Sequence, residues 1–282
     1  MAKKEKKTSK KKGVDFTSIT TRIKKLEALP DKISMVSYGR PGTGKTSFAA
    51  TMPKPLLILD AKEEGTDSIL GTEDTYVLPI ETWEDFELAF WFLKSKEGRK
   101  YNSVSIDTFT YIQELCMNSI LEETGRTTPS KREWGMMSNK IKPWILHYRD
   151  LPQHLMFICH DRVDEVDVAE DEDQIMPEVG PRLSPSISSA LNAAVKVVGQ
   201  SYIKEDVKTK KGKITKSMEY RFRIGPNPYY TTKIRCRKDF PRPNSLHNPT
   251  FQDIVDIMSG NYKPPVKVKK SAKKATKKKG EN

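Results

Sequence analysis

The sequence predicts an α/β fold: a mostly parallel central sheet flanked by helices, with antiparallel strands at its C-terminal edge. Three observations predict it. A glycine-rich turn, Gly39-Arg40-Pro41-Gly42-Thr43-Gly44-Lys45-Thr46, stands between an apolar, β-branched run and a helical one. Short apolar runs, two of them ending in aspartate, then alternate with segments of helical period. After residue 195, three strand-like runs follow with only a basic turn and two prolines between them.

Residues 15–29 read as a lead-in helix or loop ended by Pro30, and 33–38 as a buried first strand. Residues 39–46 fit the phosphate-loop pattern G-x-x-x-x-G-K-[ST] without a departure. Its glycines let backbone N–H groups point inward at phosphate oxygens, and the helix predicted over 47–52 adds its positive end. The loop residues from Gly39 through Thr46, together with Ser47, are therefore the predicted nucleotide-binding set. Lys45 is placed to reach the β- and γ-phosphates of ATP, and the Thr46 hydroxyl to hold Mg²⁺. A turn that merely caps a helix needs neither side chain.

A second core strand spans 55–60 and ends in Asp60, followed by Ala61-Lys62-Glu63-Glu64-Gly65. Carboxylates just past a strand's carboxyl end stand where ligands bind in open α/β sheets. Another strand is read at 76–80, then a helix with Trp83, Phe86, Ala89, Phe90 and Leu93 on its core side. The strand 102–108 carries Asp107 near its end and leads into a helix over 111–123, which is the form of the second phosphate-loop motif, so Asp107 is the predicted Mg²⁺ partner of Thr46. A helix over 131–149 contains Pro143, expected to bend it. The strand 155–159 delivers His160-Asp161 to the same sheet edge, and 161–182 reads as a long acidic, irregular loop.

A short helix at 187–191 precedes the three strands 195–203, 218–224 and 230–237, the first two joined by the basic turn 208–213. Thr250-Phe251-Gln252-Asp253 opens a last helix with a capping box, ending near Gly260.

The formal charge of +13 is unevenly placed. Residues 1–12 and 263–282 together carry +14, which leaves about −1 on 13–262. The domain reading is a lysine-rich tail over 1–14, one domain over 15–262 and a second lysine-rich tail over 263–282, with both tails expected to be disordered. Such tails give a salt-sensitive, sequence-blind attraction to nucleic acid, and equally to any polyanion. Three cysteines without metal-ligand spacing point to a reducing compartment rather than a disulfide framework or a zinc site. No signal peptide or membrane span is read, so an intracellular, cytoplasmic protein is expected.

Over residues 31–245 the order of parts resembles the ATPase core of the RecA-type recombinases, and most nearly the small phage ATPases associated with recombination and single-strand annealing. The resemblance implies a RecA-like P-loop core that binds and hydrolyses ATP on single-stranded DNA. It also implies a homo-oligomeric ring or filament with the ATP site at the subunit interface, and admits a single-strand-binding protein as partner. The family's catalytic glutamate would fall at Lys62, so Glu63 or Glu64 must substitute by a small shift. The polar sensor of the family matches His160, and its DNA-contacting loop falls on 161–182, whose acidity shifts that contact towards Arg162, Arg182, the hairpin lysines or the tails. Two basic residues that enter the neighbouring subunit's ATP site correspond to Arg235 and Arg237, with Lys233 as the other register. Rival readings are a helicase or loader of the same core, a small-molecule kinase, and an annealing protein that uses nucleotide only as a switch.

Overall fold

A computed structural model describes residues 21–22, 32–62, 65–163, 178–210 and 213–264. The chain divides into two units, 1–30 and 31–282. Of the first, only Thr21 and Arg22 are described, in a turn. The lead-in segment otherwise, both lysine-rich tails beyond Tyr262-Lys263-Pro264, Glu63, Glu64 and residues 164–177 lie outside the described residues.

The larger unit is built on a nine-stranded sheet. Its strands are β1 (Ser34–Tyr38), β2 (Leu56–Asp60), β3 (Thr75–Pro79), β4 (Ser103–Asp107), β5 (His154–Cys159), β8 (Val197–Lys210), β9 (Lys213–Arg223), β10 (Lys233–Ile234) and β11 (Ser245–His247). A separate two-stranded ribbon pairs β6 (Asp161–Val163) with β7 (Val179–Pro181). The order across the main sheet is β11-β9-β8-β1-β5-β4-β2-β3, with β10 beside β8. From β8 to β3 neighbouring strands are parallel, whereas β9, β10 and β11 run antiparallel, as the sequence predicts.

Alternation along the strands sends side chains to two cores. Val36, Leu57, Leu59, Val104, Ile106, Leu155 and Phe157 face one layer, formed by α2 (Trp83–Lys94), α3 (Phe109–Thr124), α4 (Lys131–Arg149) and α5 (Pro185–Ala194). Met35, Leu56, Ile58, Met156, Ile158 and Val197 face the other, formed by α1 (Lys45–Ala49) and α6 (Phe251–Ser259). The central strands are covered on both faces, which explains their near-continuous apolar character. The tyrosine Tyr148 is tied in on the first side: its ring stacks on Phe86 at 4.5 Å and its hydroxyl donates to Phe86 O at 2.7 Å.

Capping boxes begin α2 (Thr82, Asp85), α4 (Ser130, Glu133) and α6 (Thr250, Asp253); the last is the one read from sequence. The Glu133 side chain is only 1% exposed. It accepts from the Ser130 hydroxyl and backbone N–H, with Arg126 at 3.4 Å, and these partners hold its carboxyl down to about 2. Since the folded value lies below the ordinary glutamate value, its contribution to stability is complete above that value and is lost as pH falls towards 2. Glu133→Gln should lower the melting temperature at neutral pH and flatten the acid limb of the stability profile between about pH 4.5 and 2. A melting-temperature series against pH checks this.

Several boundaries differ from expectation. Helix α1 starts at Lys45 rather than Ser47 and is only five residues long, because Pro53 and Pro55 follow and the chain must turn back into β2. Helix α4, by contrast, has the bounds read from the sequence and includes Pro143. The strand expected over 230–237 shrinks to the two residues of β10, because Thr231 and Thr232 leave the sheet to bond Glu178 and Gly225. Strands β8 and β9 are longer than expected and pair antiparallel from Gln200 opposite Arg223 to Lys210 opposite Lys213, and β11 was not anticipated from the proline-rich sequence around it.

Candidate functional site

The register of the parallel strands aligns their carboxyl ends: Tyr38 lies opposite Cys159 and Gln200, Ile158 opposite Asp107, and Asp107 opposite Asp60. The segments that leave these ends, starting at Gly39, Ala61, Thr108 and His160, therefore meet along one edge, beside the continuation of β8 from Ser201. This gathers the sequence-predicted residues of the phosphate loop, Asp107 and His160. It also brings in Asp60, which sequence reasoning read as a strand end only. The signal was present, since two strands end in aspartate, but only the register shows the two carboxylates side by side.

The loop is held from below. Gly39 N–H donates to Cys159 O at 3.2 Å. A Cβ on Gly39 would lie 2.2 Å from Ser201 O, so strand β8 backs the loop too closely for any other residue. Gly44, at φ 77°, takes the left-handed conformation just before α1, and a Cβ there would meet the Tyr220 ring at 3.0 Å. Tyr220 thus stands over the phosphate loop from β9. No local pattern announces it, because the contact spans most of the chain.

Lys45 is 7% exposed, and its ammonium donates to Gly39 O at 2.8 Å and Arg40 O at 2.9 Å. A buried charge costs several kcal/mol unless it is paired, and here the loop's own carbonyls hold it across the turn. The Thr46 hydroxyl donates to Asp107 Oδ2 at 2.7 Å, and Asp107 is 4% exposed. A hydroxyl and a carboxylate so close together are hard oxygen donors, a set that fits Mg²⁺ held partly by water and phosphate. Gly65 approaches the same pair, since a Cβ there would lie 3.2 Å from Thr46 Oγ1 and 3.9 Å from Asp107 Oδ2. The chain just past Glu63 and Glu64 therefore runs against this carboxylate, although those two residues lie outside the described residues. Thr66 Oγ1 donates to Asp60 Oδ2 at 3.3 Å and ties the same turn to β2.

Lys62, at the position where the resemblance places a glutamate, has φ 60° and sets its ammonium 5.2 Å from the centre of the Tyr111 ring. His160 is anchored through its backbone: its N–H donates to Thr110 Oγ1 at 3.0 Å and its carbonyl accepts from Arg182 N–H at 2.8 Å. Arg162 donates to Leu183 O at 3.0 Å, and Arg182 pairs with Glu114 at 3.3 Å.

Arg235 and Arg237 do not join this edge within one chain. Arg235 donates to Ala193 O at 2.8 Å, and Lys233 donates to Asn192 O, so both cations cap the carboxyl end of α5 and complement its dipole. Burial, with Arg235 close by, pushes the Lys233 ammonium down to about 8. Arg237 is exposed and forks onto Asp239 at 3.0 Å. Burial also pushes the Cys116 and Cys159 thiols up, so neither offers a thiolate near neutral pH. Among the described residues, no helix is long and apolar enough to cross a membrane.

A protein-family model described as "AAA domain" matches residues 31–236, which takes in the phosphate loop, both aspartate-ended strands and the hairpin. No curated protein matches the chain.

Proposed function

Because the chain belongs to the AAA domain family and is a P-loop ATPase of AAA/RecA type, we propose that it hydrolyses ATP with Mg²⁺ while bound to single-stranded DNA, in phage-type recombination, annealing or replication. The observation that carries the ATPase reading is the pairing of Thr46 with Asp107 at 2.7 Å beside the buried Lys45. Backbone N–H groups of the loop 39–46 cradle the phosphates, and Lys45 exchanges its loop carbonyls for phosphate oxygens. Thr46 and Asp107 would hold Mg²⁺, which when bound would supply charge neutralisation to the transferring phosphate. Glu63 or Glu64 orients the attacking water, supported by the approach of Gly65 to the Thr46–Asp107 pair. His160 links the γ-phosphate side of the loop to the ribbon β6–β7. Arg235 and Arg237 of one copy serve the ATP site of the next in a homo-oligomer, which requires Arg235 to leave the end of α5.

Single-stranded DNA is favoured as partner by the lysines at both ends of the chain and along the β8–β9 hairpin. Deleting residues 1–12 and 263–282 should weaken binding to a labelled oligonucleotide and reduce the slope of log affinity against log salt by about 0.7 for each lost phosphate contact, leaving ATP affinity intact. A titration at several salt concentrations reads this, and an unchanged slope would remove the tails from the account. A second reading, an annealing protein that uses nucleotide as a switch with little hydrolysis, is favoured by the position of Lys62 on Tyr111. Annealing that survives loss of Lys45 would support it.

A further inference from the structure

On the side of the phosphate loop that faces β6–β7, a cleft of about 400 Å³ opens, bounded by Arg40, Thr43, Asp161, Gln200, Tyr202 and Tyr230. Its chemistry differs from that of a phosphate site. Two tyrosine rings, both partly exposed, form its walls. The Arg223 guanidinium lies 3.8 Å from the Tyr230 ring centre and 4.7 Å from that of Tyr202, which fixes a positive charge among the aromatics. Its polar lining is mixed: the Asp161 carboxylate accepts, the Arg40 guanidinium donates, and the Gln200 amide carries both a donor and an acceptor. Val163 and Ile203 on its rim are 56% and 40% exposed. Aromatic walls, a carboxylate that can accept from an amino group, and nearby cations suit a heterocycle bearing an exocyclic amine.

We infer that this cleft receives a base of the single strand, packed against the aromatic walls Tyr202 and Tyr230, with its amino edge towards the Asp161 carboxylate. The inference rests on the DNA-binding reading above and names where that strand is held. Two further features favour a strand over a free nucleoside. Beyond Gln200, the last residue of β8 paired to β1, β8 and β9 continue paired to each other as far as Lys210 and Lys213. They form an arm that carries lysines past the cleft and along which a backbone can run. Arg40, exposed at the cleft mouth, adds a cation where a flanking phosphate would pass. Since Arg40 and Thr43 belong to the phosphate loop, a base seated here touches the same loop that binds ATP. The two ligands then affect each other's affinity by the same factor.

The test uses the full chain and a fluorescein-labelled dA20 oligonucleotide, with affinity read by anisotropy at fixed salt. Tyr202→Ala should bind roughly 5- to 150-fold more weakly, the range expected when a stacking ring is removed, and Tyr202→Phe should retain wild-type affinity. Val163→Trp, at an exposed rim position, fills the cleft without removing a contact and should show the same loss. Melting temperature and ATP affinity of each variant serve as checks of folding. If the wild type binds dA20 and both Tyr202→Ala and Val163→Trp bind it equally well, the cleft is not the base site, and the DNA-binding reading stands without it. If the wild type does not bind dA20, both fail together. If adenosine at equal base concentration displaces the strand, the cleft is a free-nucleoside site and the inference is overturned.

Discussion

Lys45→Ala should cut ATP hydrolysis by about 100- to 1,000-fold, the scale on which removal of one preorganised donor at a developing charge acts. The ammonium is buried and already held over the loop by the Gly39 and Arg40 carbonyls, so it reaches phosphate by exchanging partners rather than by reorganising the loop. Alanine removes the charge and leaves those carbonyls facing a phosphate with nothing between them. Both effects point the same way for ATP affinity and for hydrolysis. A fluorescent ATP analogue reads the first and phosphate release the second. Retention of wild-type hydrolysis would remove the loop 39–46 from the chemistry.

Asp107→Asn should be nearly as damaging to hydrolysis, on the order of 100-fold, but with a different signature. The amide keeps the shape of the carboxylate and still accepts from the Thr46 hydroxyl, so the fold and the cation-free binding of nucleotide should persist. What is lost is the negative charge beside Thr46, and with it the Mg²⁺ affinity of the pair. The half-saturating Mg²⁺ concentration for hydrolysis should rise at least about 10-fold. Unchanged Mg²⁺ dependence would place the metal elsewhere, with Asp60 in the adjacent register position as the first residue to examine.

These two residues were legible in the sequence because each sits in a local pattern. A strand, a glycine-rich turn and a helix start announce Lys45 and Thr46, and an apolar strand ending in aspartate announces Asp107. The parallel sheet was legible for the same reason, since strands buried on both faces read as continuous apolar runs. Long-range placement was not legible. Tyr220 reaches Gly44, and Ser201 backs Gly39, only because β8 returns beside β1, and no local signal encodes that pairing. Lys233 and Arg235 read as basic residues before a proline-bearing turn, whereas the folded chain also gives them the carboxyl end of α5 to cap. The three-residue strands β6, β7 and β11 lie among prolines, acidic residues and glycine, where propensity argues against strands and tertiary pairing overrides it.

The AAA domain assignment covers nucleotide binding, and the further claim is that hydrolysis is coupled to a single strand. The most direct measurement is the ATP hydrolysis rate with and without single-stranded DNA, at low and moderate salt, beside Lys45→Ala. Hydrolysis should rise with DNA, fall back as salt weakens the strand's hold, and disappear in the variant at every salt concentration. Hydrolysis that is the same with and without DNA would contradict the coupling.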